Sequence, residues 1–111
     1  MLSLKPSVRI DGLRTEIVIG LMIAQSVYAK YGVELVVTCG VNGTHSSKSL
    51  HYKALALDLR THNIPQNVSK HEILKDLKEK LGPHFDVIIE DEGDKNEHFH
   101  MEYDPKSGVN H

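Results

Sequence analysis

Residues 98–103, HFHMEY, alternate without a break. In an extended chain Phe99, Met101 and Tyr103 fall on one side, and His98, His100 and Glu102 on the other. The segment reads as a strand with one buried face and one face of titratable groups. Residues 54–60, ALALDLR, repeat the partition: Leu55, Leu57 and Leu59 share one side, and Ala54, Ala56 and Asp58 share the other. Two strands so divided belong in one sheet whose apolar face is covered by helices. If they are neighbours, a carboxylate and two imidazoles meet above alanines small enough to leave space over the sheet.

The remaining segments supply the cover. Leu13, Ile17, Leu21, Ala24 and Tyr28 recur at helical spacing over residues 12–31, and Gly32 follows as a stop. ELVVTC, residues 34–39, has the β-branched character of a strand. GVNGTHSSKSL, residues 40–50, has the composition of a loop. Ser69 with Glu72 marks a helix start, Ile73, Leu74, Leu77 and Leu81 form its apolar stripe, and Gly82-Pro83 ends it. FDVIIE, residues 85–90, is a further strand, followed by the acidic turn DEGDKNE. The pattern predicts an α+β domain, with an antiparallel or mixed sheet and the helices packed on one face. At 111 residues it is expected to be a single domain, with residues 1–5 and 105–111 flexible.

Charge removes some function classes. With 13 basic and 15 acidic residues, a net charge of −2, there is no footprint for nucleic acid or for an anionic membrane. The run IVIGLMIA is too short to cross a bilayer. MLSLKPSVRIDG lacks the apolar stretch of a signal peptide, so synthesis in the cytoplasm is expected, without membrane insertion. A monomer is expected. The one cysteine, Cys39, excludes an intrachain disulfide and a closed thiolate zinc site.

Two histidines and one carboxylate are a ligand set of the catalytic zinc kind, which leaves a fourth position for water. Taken alone, the H-x-H pair says only that two histidines share a strand face, and incidental histidines are the alternative.

The chain has a family resemblance. Ser49-Leu-His51, continuing through Tyr-Lys-Ala-Leu-Ala-Leu to Asp58, resembles the S-x-H-x-x-G-x-A-x-D motif of the zinc D-Ala-D-Ala peptidases. That group also holds phage L-alanyl-D-glutamate endolysins and the hedgehog signalling domain. His98-Phe-His100 resembles the closing H-x-H of the family. The order of elements fits over most of residues 5–105. The resemblance implies a hedgehog/DD-peptidase-like fold and one Zn2+ held by His51, Asp58 and His100. It implies Glu97, three residues before His100, as general base, with Glu90 as the rival. His98 would stabilise the oxyanion and Ser49 would hydrogen-bond the substrate. Two features depart from the family pattern. Ala54 stands in place of the motif glycine. The segment TCGVNGTHSS lacks the loop arginine that meets the substrate carboxylate or backbone carbonyl, with Asn42 near its place and His45 or Lys48 as substitutes. An internal bond of a stem peptide therefore suits the chain better than a free D-Ala-D-Ala terminus.

The expected function is a zinc metallopeptidase acting on bacterial peptidoglycan peptides, of DD-carboxypeptidase or endolysin type and phage or bacterial, working at the cell wall. The alternative is a non-catalytic, zinc-stabilised binding module of the same fold.

Overall fold

The computed structural model describes residues 2–6, 15–40 and 56–104. The elements run β1 (Leu2–Leu4), α1 (Thr15–Lys30), β2 (Leu35–Cys39), β3 (Ala56–Arg60), α2 (Lys70–Leu81), β4 (Phe85–Glu90) and β5 (His98–Tyr103). The strands form one sheet in the order β1-β2-β3-β5-β4. β1 runs parallel to β2, and the other neighbours are antiparallel. This is a mixed sheet in an α+β domain, with both helices on the sheet. The segment expected to be loose at the start of the chain contributes β1, which pairs Leu2 with Leu35 and Leu4 with Val37. Residues 105–111 lie outside the described residues.

The alternation expected from the sequence sets the two faces. Leu57, Leu59, Phe99 and Met101 are fully buried in a cluster with Ile17, Leu21, Ala24 and Tyr28 of α1 and Ile73, Leu74, Leu77 and Leu81 of α2. Asp58, His98, His100 and Glu102 lie between them in sequence and so point to the opposite face. The Tyr28 hydroxyl crosses under the sheet and donates to the Arg60 carbonyl at 3.4 Å, tying α1 to the end of β3.

α2 starts as the sequence indicates. Ser69 is its N-cap, in an extended conformation, and its hydroxyl accepts from the Glu72 amide at 3.2 Å. Gly82 ends the helix at φ +86°, and its amide closes on the Lys78 carbonyl at 3.1 Å.

Gly20 allows α1 to approach β4. A Cβ at this position would lie 2.5 Å from Cε2 and 2.9 Å from Cζ of the Phe85 ring, so the ring must move to admit any side chain. Gly20→Val is expected to destabilise the protein by roughly 2 kcal/mol through overpacking. Chemical denaturation checks this; an unchanged midpoint would show that α1 does not rely on the close approach.

Candidate metal centre

The sheet face away from the helices carries the titratable groups as a lattice set by strand register. Asp58 of β3 pairs with His100 of β5, and Arg60 pairs with His98. On the other side of β5, Glu90 of β4 pairs with His98, Ile88 with His100 and Asp86 with Glu102. Parity then places Asp58, His98, His100 and Glu90 on one face, although 42 residues separate Asp58 from His100.

These groups make contact. Nδ1 of His100 is 3.0 Å from Oδ1 of Asp58 and 4.0 Å from Oε1 of Glu90. Nε2 of His98 is 2.8 Å from Oε1 of Glu90 and 3.7 Å from Oδ2 of Asp58. Each ring is also held from behind. Nδ1 of His98 donates to the Asn96 carbonyl at 2.7 Å, since a carbonyl can only accept. Nε2 of His100 meets Oε1 of Glu102 at 2.8 Å. Each imidazole therefore spends one nitrogen on an orienting acceptor and aims the other at Asp58 and Glu90. This is how outer partners orient metal-binding histidines.

Asp58, Glu90 and His98 each offer a ligand atom, and these atoms all lie within 4.8 Å of one another. Ligands about 2.0–2.2 Å from one ion stand roughly 3–4 Å apart. This acidic and histidine group can thus hold a metal ion with small side-chain adjustments, and His100 adjoins it through Asp58.

The metal-free cluster holds its charge by protonating the rings. The Asp58 hydrogen bond pushes the His100 pKa up to about 9; burial opposes this, and the Glu102 bond and the charges of Asp58 and Glu90 add to the rise. Burial lowers the His98 pKa, but the Asn96 carbonyl and the Asp58 and Glu90 carboxylates outweigh it, and the net direction is up. Both shifts favour the protonated rings, whose charge offsets the surrounding carboxylates, a role that a dication could take over.

Glu97, the base expected from the resemblance, is not brought to this cluster. Strand parity continues backwards from Phe99, so Glu97 falls on the helix side of the sheet. Its side chain is 4% exposed. Oε1 accepts from Lys70 Nζ at 2.5 Å and from the Gly93 amide at 3.1 Å, while Oε2 accepts from the Thr61 hydroxyl at 2.6 Å. Burial alone would raise its pKa; the bonds from Lys70, Thr61 and Gly93 overcome this and hold it near 2. A carboxylate so satisfied is a weak base. It ties the start of α2, the end of β3 and the turn before β5 to one another. Glu90 stands in the cluster instead. Strict alternation along the sequence already sets Glu97 on the opposite face from His100, but of its partners only Gly93 is near in the chain, and Thr61 and Lys70 are brought in by the fold. His51 and Ser49 lie outside the described residues, as do Asn42, His45 and Lys48.

Cys39 pairs with Asp58 across a bulge in β2. Burial, then the nearby Asp58 charge, pushes its thiol up to about 11, with Lys5 opposing, so it is not thiolate at neutral pH.

No protein-family model, no curated protein and no solved structure matches the chain.

Two predictions follow from these charge environments. Glu97 has a folded pKa below its ordinary 4.5, so its contribution to stability is complete above that value and is lost as pH falls towards 2. Glu97→Ala is expected to cost roughly 3 kcal/mol at pH 7, because Lys70 loses its partner, and to flatten the acid limb of a stability-against-pH curve. His100 has the opposite sign. Raised from 6.5, it stabilises the metal-free protein fully below pH 6.5, and that contribution disappears as pH rises through about 9. Thermal melts of chelator-treated protein between pH 6 and 10 check this, and a melting point that rises across that range would contradict it.

Proposed function

We propose that the protein is a zinc metallopeptidase that hydrolyses peptide bonds in bacterial peptidoglycan. The observation that supports this most is the convergence of Asp58, His98, His100 and Glu90 on the sheet face away from the helices, with one nitrogen of each ring backed by an acceptor and the other turned inward. Such a set is partly accessible, with Glu90 the most exposed member, and is poor in sulfur, which suits an open catalytic site better than a closed structural one.

Under this reading Asp58 and His100 hold the ion together with His51, the third ligand implied by the motif. Zinc, when bound, supplies Lewis-acid activation of water at neutral pH. Glu90 is the general base: it accepts the proton of the attacking water and returns it to the leaving amine. His98, fixed by the Asn96 carbonyl, donates to the scissile carbonyl oxygen as negative charge builds there. Glu102 and the Asn96 carbonyl keep the two rings oriented. Ser49 is assigned to the substrate. Glu97 becomes a residue that positions β5.

The proximity of Asp58, Glu90 and His98 favours a second ligand set, in which Glu90 and His98 bind the ion directly. The two sets differ in what Glu90→Gln does. With Glu90 as base, the variant keeps about one zinc per chain, as measured by metal analysis, and loses hydrolysis by a hundredfold or more; with Glu90 as ligand, zinc is lost too. Asp58→Ala empties the site in either case. Muropeptide mass analysis after incubation with the zinc-loaded protein reads the activity. Zinc retained at full occupancy with no new amino groups released from any wall preparation would leave the binding-module alternative in place.

A further inference from the structure

A second feature adjoins the metal centre. A cleft of about 350 Å3 opens beside it, lined by Lys5, Thr38, Cys39, Asp58, Arg60 and His98 on one part and by His62, Lys95, Asn96 and Glu97 on the other. Its volume is at the small end of the range for ligand clefts, about 300–1,000 Å3, which suits a short stretch of peptide.

The charges of this cleft are unbalanced. Lys5, Arg60 and Lys95 contribute three cations. Glu97 is already satisfied by Lys70, and Asp58 by the two histidines. Among the described residues, none of the three cations forms an ion pair. Arg60 is in register with His98 and shares the open face with Asp58, two residues away on β3. Its backbone is fixed by the Tyr28 hydroxyl. Lys5 lines the same cleft together with Thr38 and Cys39. A half-buried guanidinium without a carboxylate is a poor way to stabilise a fold. It is a ready anchor for an anion, because its planar fork matches a carboxylate.

We propose that this cleft holds a carboxylate of the peptide substrate, with Arg60 as the anchor and Lys5 and Lys95 as flanking charges. The proposal rests on the peptidase reading for its substrate class. It also answers the departure noted in the sequence: Arg60, two residues beyond the Asp58 ligand, supplies the fork that the loop TCGVNGTHSS lacks. The carboxylate has two possible sources, the C-terminus of a stem peptide or the free α-carboxyl of a γ-linked glutamate within it.

The test is a binding measurement, kept apart from hydrolysis. The zinc-loaded protein is titrated with the peptide L-Ala-γ-D-Glu-L-Lys-D-Ala-D-Ala at low salt, and with versions amidated at the C-terminus, at the glutamyl α-carboxyl, or at both. Backbone amide shifts at Arg60, His98 and Lys95 report binding. Amidating one of the two positions is expected to weaken binding by roughly tenfold or more, the worth of one charge-assisted pair, and which position does so identifies the source. Arg60→Gln is expected to abolish the discrimination, and Arg60→Lys, which keeps the charge without the fork, to retain part of it. Circular dichroism confirms that both variants fold. Equal binding of the free and the doubly amidated peptides, discrimination that survives Arg60→Gln, or no binding of any of them would overturn the proposal. Acid-selective binding without cleavage would support the proposal and sink the peptidase reading. Cleavage without selectivity would do the reverse.

Discussion

The pairing of β3 with β5 governs everything else in the molecule. Its register sets Leu57 against Met101 and Leu59 against Phe99 on one face, and Asp58 against His100 on the other. A slip of one residue would turn both sets over, driving the carboxylate and the imidazoles into the core. The four apolar side chains are fully buried. Burying each is worth roughly 1.5–3 kcal/mol, so the correct register is preferred by several kcal/mol before any polar contact is counted. The core thus chooses where the titratable groups stand, and those groups need not supply the energy that brings them together.

The same parity gives two glutamates, seven residues apart, opposite situations. Glu90 ends β4 on the titratable face, 42% exposed in its side chain, with one oxygen on His98. Glu97 precedes β5 on the covered face and is saturated by three donors. Between them the turn reverses the chain through positive φ at Asp91 and Gly93. Gly93 also presents its amide to Glu97, so this carboxylate fixes the turn that aims the H-x-H strand. The reactive reading of the face and the structural role of Glu97 therefore depend on each other: moving Glu97 towards solvent would free the turn and with it the angle of His98.

Much of this was legible in the chain. Alternation in HFHMEY and in residues 56–60 is a local signal, and it separated the core face from the titratable face correctly. The Ser69 cap and the Gly82 stop are local as well. β1 was not legible, because three residues carry too little periodicity and its hydrogen bonds come from β2, more than thirty positions away. Alternation also set Glu97 on the face away from His100, but the Lys70 and Thr61 donors that satisfy it there are brought near only by the fold. The proposed role of Arg60 was equally hidden: it reads as the polar end of a strand until the cleft beside it, and the absence there of any ion-pair partner among the described residues, come into view.

The account stands on the proposal that one metal ion binds between β3 and β5 on the face away from the helices. Anomalous diffraction from zinc-loaded crystals, recorded on both sides of the zinc edge, tests this directly. A single strong peak about 2.0–2.2 Å from an Asp58 oxygen and an imidazole nitrogen of the H-x-H pair is the expected result. No peak there, or one only at the separate carboxylates of Asp86, Glu102 and Asp104, would contradict it.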